Sequence, residues 1–476
     1  VTAGPAPPGP GEEELRAALL EAAEWVSAYL RSVGERPVLA QVAPGDLLAA
    51  LPEHPPTEGE PLDAIMADVD RLILPGITHW NHPSFFAYFG ITGSGPGIVG
   101  ELICAALNVN AMLWRTSPAA TELEERTLAW VGELICLPGS WFGQITDSAS
   151  SSTFWALAAA REATGLDIRS RGMAGRDDLP PLRVYTSAEA HSSVEKACIA
   201  LGLGQQGLHK VEVDGEFRMR PDALAAAVEA DVAAGVRPIA VVPTVGTTST
   251  TSVDPVGEVV EIAARHGMWV HVDAAYGGAA GLLTTHRHLL DACDRADSLV
   301  FNPHKWLLTP VDCSLLYTSR PDVLRQAFSV VPFYLTSGDG GVTNLMDYGL
   351  ALGRRFRALK LWFVLRAYGA DGLAEIIAGH IAMARELAGW IEAAEGWELL
   401  APVPLSTVCF RRRPPGVDDE AELDRINADL VERVNVSGTA FVSHTQVGGR
   451  YAARMAIGNV ASRPEHVRRA WEALNS

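Results

Sequence analysis

The sequence predicts an α/β protein with a mostly parallel sheet, and three observations carry that prediction. From about Pro118 onward, short β-branched runs alternate with helical segments. Several runs end in polar residues, at the edge where open α/β sheets hold their ligands. Two of these residues, Asp273 and Lys305, are 32 positions apart, about one βαβ unit, so they are expected on neighbouring strands.

Along the chain, VTAGPAPPGPGEEE is rich in Pro and Gly and reads as a disordered start. Leu15, Leu19, Ala22, Val26 and Leu30 then recur at helical spacing and predict an amphipathic first helix, followed by a Pro-punctuated stretch. The expected strands are LRVYT (182–186), PIAVVPTVG (238–246), MWVHVD (268–273) and SLVFN (298–302), with helices near 191–201, 221–233 and 256–266. After LGRRFRALKLWFVLRAYG (352–369) comes a long helical stretch and then a shorter α/β pattern, read as a smaller second domain. GLGQQG (202–207) satisfies the dinucleotide-binding spacing, but a helical segment precedes it and a strand-like HKVEV follows. That is the reverse of what a pyrophosphate site needs, so these glycines are read as a helix end.

The 476 residues are 48% apolar, enough for a large core and two or three domains. A formal charge of −19 argues against a nucleic-acid partner, since phosphate binding needs clustered Lys and Arg. The six cysteines are scattered without a CxxC pair, so neither a metal site nor a disulfide framework is expected and a reducing cytoplasm fits. No apolar run reaches membrane-spanning length.

Four strand ends carry the candidate chemistry: His191, Thr244, Asp273 and Lys305. Lys305 lies among Phe301, Trp306, Leu307 and Leu308, where burial lowers a lysine's pKa and favours a nucleophile or Schiff-base former. A lysine that snorkels to the surface is the alternative. Asp273 ends an apolar strand and precedes AAYGG, small residues that let a flat ligand approach, and it wants a cationic partner; a cap or structural salt bridge is its alternative. TDSASSSTFWALAAARE (146–162) runs a Ser-rich turn into a helix, so Ser148, Ala149 and Ser150 are expected at a helix N-terminus facing an anion. A flat cation between a carboxylate and a covalent lysine, with a phosphate at a helix end, describes pyridoxal phosphate.

HVDAAYGG, FNPHKWLL with DCS after it, AHSSVEKA, PTVGTT, HWNHPSFFAYF and LGRRFRALKLWFVLRAYG together closely resemble the group II pyridoxal-phosphate-dependent amino acid decarboxylases, in their aromatic-L-amino-acid branch. The resemblance runs from roughly residue 12 to the last helix. It implies fold type I, the aminotransferase-like architecture: a large domain (95–368) with a mostly parallel seven-stranded sheet, a small C-terminal α/β domain (369–476) and an N-terminal helical segment (1–94) packing across a homodimer.

It also implies roles. Lys305 would hold the cofactor's aldehyde, Asp273 would keep its pyridine nitrogen protonated, and Ala275 and His191 would sandwich the ring. Ala149 and Ser150, with Ser148 at the same helix N-terminus and with Asn302 and His304, would hold the phosphate or its surroundings, and Thr244 would lie near cofactor and lysine. Tyr334, in VVPFYLTSGDGG, falls at the catalytic tyrosine on a closing loop, with Gly338, Gly340 and Gly341 suited to a lid. In this family Phe at that position, or Asn in place of the histidine, accompanies aldehyde formation; both Tyr334 and His191 are present, so simple decarboxylation is expected. Trp80, Tyr88 and Phe89 match the aromatic substrate wall, while Gly90 and Ile91 stand where Pro and Thr are usual, and Asn110 and Met112 where Ile and Phe are usual. Gly353 agrees with aromatic-amino-acid enzymes. Asn110, Met112 and Trp114 would come from the partner subunit. The implied substrate is an L-aromatic amino acid such as tryptophan, 5-hydroxytryptophan, DOPA, tyrosine or phenylalanine. The alternatives are aldehyde-forming oxidative deamination, decarboxylation of a non-aromatic amino acid, an aminotransferase, or a non-catalytic binding protein.

Overall fold

Apolar runs set the architecture. In the computed structural model, which describes residues 9–330 and 341–476, seven strands form one sheet: β1 (Phe142–Thr146), β2 (Leu182–Ser187), β3 (Leu208–Val211), β4 (Arg237–Val242), β5 (Trp269–Asp273), β6 (Ser298–Phe301) and β7 (Ser314–Thr318). Their spatial order is β1-β7-β6-β5-β4-β2-β3, and only β7 runs against the others. Strands β5, β6 and β7 are buried at every position, which is why they read as continuous apolar runs rather than alternating ones.

The main helices are α1 (Glu12–Ser32), α2 (Gly95–Leu107), α3 (Pro118–Leu134), α4 (Ala149–Glu162), α5 (Ser193–Ala200), α6 (Pro221–Ala233), α7 (Val256–His266), α8 (Ala358–Ala393), α9 (Glu420–Val436) and α10 (Pro464–Asn475). Helix α7 shows the logic of a crossover: Val256, Val259, Val260, Ile262 and Ala263 are buried, and Gly267 ends it in the left-handed region. The glycines of 202–207 follow the end of α5 and lead through a short 3-10 turn into β3, as a helix end should.

A second, wholly antiparallel sheet has the order β10-β11-β9-β8, built from β8 (Trp397–Leu399), β9 (Thr407–Arg412), β10 (Ser443–Val447) and β11 (Arg450–Ala456). Its own core joins Phe410, Val408, Met455 and Val442 to residues of α8, α9 and α10. Helix α8 runs between the two cores and breaks at Gly369, whose φ of 65° and ψ of 172° are not helical.

Two expectations change. Helix α1 begins at Glu12, inside the stretch read as disordered, because three glutamates in its first turn complement the helix dipole. It buries none of its residues, and Leu15 and Leu19 stay about half exposed. The first eight residues, and Tyr334, Gly338 and Gly340, lie outside the described residues.

A buried ion pair binds separate segments near β1. Arg354 Nη2 donates to Glu124 Oε1 at 2.7 Å and to the Ile145 carbonyl at 2.9 Å, while Glu124 accepts from the Ile145 N–H at 2.8 Å. Both side chains are almost wholly buried. Removing one partner strands the other's charge, so Glu124→Ala is expected to lower stability by about 3–5 kcal/mol in urea denaturation.

Candidate active site

The site forms at the C-terminal edge of the large sheet. Strands β5 and β6 pair in parallel with Asp273 opposite Val300, so Asp273 and the turn carrying Lys305 are neighbours, as their spacing predicts. β4 and β5 are adjacent, and beyond β4 Thr244 bridges to Asp273. At the β1 edge, Ser148 caps α4 with its hydroxyl accepting from Ser151 N–H at 3.3 Å. Ala149 and Ser150 open that helix, whose first N–H groups have no intrahelical partner.

Lys305 lies in a four-residue helix, Pro303–Trp306, directly after β6. Its Nζ is 5.2 Å from the centre of the Phe89 ring. Burial lowers its pKa; the Asp273 carboxylate opposes that shift and the Arg454 guanidinium adds to it. A depressed lysine pKa exposes the free amine that covalent capture of an aldehyde needs. Asp273 is itself buried, and its Oδ1 accepts the Ala275 N–H at 3.0 Å.

His191 follows β2 and is exposed as a whole, yet the protein around its ring is the main cause lowering its pKa, followed by Lys305. Its Nδ1 meets Ser193 Oγ at 2.9 Å. His304 is buried, accepts the Cys313 N–H on Nδ1 at 2.9 Å, and has its pKa pushed down to about 4 by burial and then by Lys305. Asn302 Oδ1 and Thr244 Oγ1 are buried polar atoms without a hydrogen-bond partner among the described residues. Such orphans beside a carboxylate and a lysine fit a polar ligand that supplies the missing bonds.

The glycines of AAYGG serve packing rather than ligand approach. A Cβ at Gly277 would stand 2.3 Å from the Val245 carbonyl oxygen, and one at Gly278 would stand 2.7 Å from Phe301. Phe89 stacks on Tyr276 at 3.9 Å, and Tyr276 stacks on Trp306 at 4.6 Å. Trp80 stacks on Phe85 and Tyr88. This aromatic segment is pinned to the second sheet: Tyr88 N–H donates to Ser443 Oγ at 3.2 Å, and Phe86 exchanges backbone bonds with Phe441 and Ala456. Ile91 is half-buried next along the segment.

Asn110, Met112 and Gly353 form a separate group. Asn110 Oδ1 accepts the Arg354 N–H at 2.9 Å, Gly353 faces Asn110, and Met112 O accepts the Met346 N–H at 3.1 Å.

Arg454, on β11, escaped the sequence reading. It is 4% exposed, lies 4.5 Å from the Phe89 ring centre, and donates to Tyr88 O at 2.6 Å and Ser249 O at 2.9 Å, while its Nη2 has no partner among the described residues. An arginine within the otherwise mostly apolar AARMA was the available cue. His271 was also missed; it bridges Ser298 and Thr153 beneath the site.

Residues 44–413 match the family described as the pyridoxal-dependent decarboxylase conserved domain. The chain belongs to this family. It is 38% identical over 473 residues to a tryptophan decarboxylase of Camptotheca acuminata, covering 97% of this chain and 94% of that one. A tyrosine decarboxylase of Petroselinum crispum is 40% identical over 465 residues, covering 95% and 90%. A crystal structure of Oryza sativa TDC with PLP and tryptamine superposes with a TM-score of 0.94 at 38% identity, covering 99% of this chain and 98% of that one. This decarboxylase therefore uses pyridoxal 5'-phosphate on an amino acid substrate, and it has the expected fold of the family. No helix among the described residues is long and apolar enough to cross a membrane.

The buried histidines set a pH dependence. His271, His304 and His380 have folded pKa values of about 4 because burial disfavours the imidazolium. Unfolded imidazoles titrate near about 6.5, so between these values the unfolded decarboxylase binds protons that the folded one does not. Stability therefore falls on acidification through this window, by about 3 kcal/mol per histidine when complete. Asp254 acts in the opposite sense, since burial raises it from 3.8 to about 7 and its folded form holds the extra proton. Urea midpoints should drop between about pH 7 and pH 5, and His304→Asn, which keeps an acceptor for Cys313 N–H, should reduce the drop.

Proposed function

We propose that this enzyme decarboxylates an L-aromatic amino acid to its amine and CO2, as a homodimer. The observation that carries the reading is the enclosure of Lys305 beside Phe89 at one corner of an aromatic array, with Asp273 on the adjoining strand. Pyridoxal phosphate supplies the electron sink that makes loss of CO2 from Cα feasible.

The chain's own residues do the rest. Lys305 would hold the cofactor's aldehyde, and its depressed pKa favours the free amine that this attachment requires. Asp273, fixed by the Ala275 N–H, keeps the pyridine nitrogen protonated. Ala275 and His191 would flank the cofactor ring. The α4 N-terminus at Ser148, Ala149 and Ser150 would hold the phosphate together with Asn302 and His304, and the hydroxyl of Thr244 would bond the cofactor beside Asp273. Trp80, Tyr88, Phe89 and Ile91 wall the side-chain pocket. The unpartnered Nη2 of Arg454, beside Phe89, orients the substrate carboxylate. Tyr334 returns a proton to Cα, which completes the amine.

Two features support the dimer. Helix α1 has no fully buried residue, and Val99, Leu102, Ile103 and Leu107 leave an apolar face of α2 exposed. Asn110, Met112 and Gly353, held as one unit, then line the neighbouring subunit's pocket. A cytoplasmic location suits the six free cysteines.

Cofactor-loaded enzyme given a panel of L-amino acids should release CO2 with equal amounts of amine, fastest with an aromatic side chain. No CO2 from any aromatic substrate would sink the reading. Lys305→Ala should abolish both CO2 release and the visible absorbance of lysine-bound cofactor. Tyr334→Phe should lower amine formation by about 10²-fold or more, with oxygen uptake and aldehyde among the products. Aldehyde and ammonia from the unaltered enzyme would favour oxidative deamination instead. Sedimentation should give a dimer, and a fully active monomer would refute that part.

A further inference from the structure

The lysine-bearing turn cannot aim itself. Pro303–Trp306 is a single helical turn, too short to be stable alone, so the direction of Lys305 is set by whatever anchors its neighbours. Trp306, the next residue, is wholly buried and lies flat on Tyr276, with ring planes 4° apart. Its indole N–H donates to His380 Nδ1 at 3.0 Å. An indole can only donate, so Nδ1 must be the acceptor and the ring proton sits on Nε2. That nitrogen lies 3.0 Å from the Asn459 carbonyl and donates to it.

Asn459 carries the link onward. Its side-chain amide donates to the Trp80 carbonyl at 3.3 Å and to the His82 carbonyl at 3.2 Å, and its Oδ1 accepts the Ala461 N–H at 2.8 Å. Three segments far apart in sequence are thus linked in series through His380 and Asn459: the lysine turn, the turn after β11, and the segment bearing the Trp80 wall. His380 is buried in the middle of α8, and with a pKa near about 4 it stays a neutral ring with one donor and one acceptor.

We propose that His380 is a positioning residue that, through Trp306 on one side and Asn459 on the other, fixes the Lys305 turn relative to the aromatic wall at Trp80 and so tunes which aromatic side chain is accepted. This rests on the reading of Lys305 as the cofactor-bearing lysine and Trp80 as pocket wall. A histidine here does what an apolar residue cannot: it satisfies the Trp306 donor and the Asn459 acceptor together, in a place where leaving either unpaired is costly. The Trp306 bond aims the lysine, and the Asn459 bond holds the wall.

The two halves separate experimentally in cofactor-loaded enzyme. Trp306→Phe removes the indole donor together with part of a wholly buried ring; it should alter the visible spectrum of lysine-bound cofactor and lower kcat about fivefold or more. His380→Asn puts an amide oxygen where Nδ1 stood, so it keeps the Trp306 bond and loses the one to Asn459. It should retain the wild-type spectrum while changing the ratio of kcat/KM for tryptophan over phenylalanine by about fivefold. His380→Leu should show both effects; if it does not fold, the other two variants decide. The proposal is overturned if Trp306→Phe and His380→Asn melt earlier but keep both the spectrum and the substrate ratio, since a purely structural role predicts that outcome. A Lys305→Ala enzyme that kept the lysine-bound spectrum would instead overturn the reading beneath it.

Discussion

Burying an ammonium in the sheet edge is the constraint around which this decarboxylase is organised. Lys305 leaves β6 into a region where Trp306, Leu307 and Leu308 are almost wholly buried, and its charged form is disfavoured there. The neighbouring strand answers with Asp273, held in place by the N–H of Ala275. The Phe89 ring lies 5.2 Å from Lys305 Nζ and 4.5 Å from the Arg454 guanidinium, so one aromatic residue borders both buried basic side chains. The parallel sheet supplies the geometry, because adjacent strands deliver their C-terminal residues to the same edge.

That edge stays ordered through polar links that the hydrophobic core cannot provide. Thr146 Oγ1 meets Ser152 Oγ at 2.8 Å, and Ser152 lies 3.3 Å from Ser314 Oγ, locking the start of α4 to β1 and β7. Asp254 takes the Thr244 N–H at 2.8 Å and the Met219 N–H at 2.6 Å, which fixes the strand end beside Asp273. Neutral buried histidines serve in the same way, each offering one donor and one acceptor without a charge to solvate.

The strands beneath the site were readable from the sequence because they are buried at every position and mostly apolar, and Lys305 and Asp273 were readable because a charge interrupts such a run. Strand β7 was not recognised, since SLLYT is brief and directly follows the lysine motif. Strand β1, FGQIT, holds a glycine and a glutamine and lacked a run of its own. Arg354 and Glu124 sit in charge-rich stretches, RRFR and ELEER, where nothing local separates a buried charge from a solvated one. Arg454 and His380 are distant from the lysine along the chain and come near it only when the second sheet packs against the first. The roles themselves were read through family resemblance, because composition and spacing do not specify which atom a side chain will face.

Helix α8 gives the molecule a joint. Its first part packs against α2 and α3 beside the large sheet, and its second part packs against the strands of the small one. Between them Gly369 takes a φ of 65° and a ψ of 172°, a backbone shape that side chains with a Cβ rarely tolerate. The angle between the two halves is therefore written into one residue. The pocket inherits it, because Lys305 belongs to the first sheet while Arg454 and the pinned segment at Tyr88 belong to the second. An evolving lineage can reshape the pocket by changing its lining, but it must leave this elbow alone if both halves are to keep facing the same molecule.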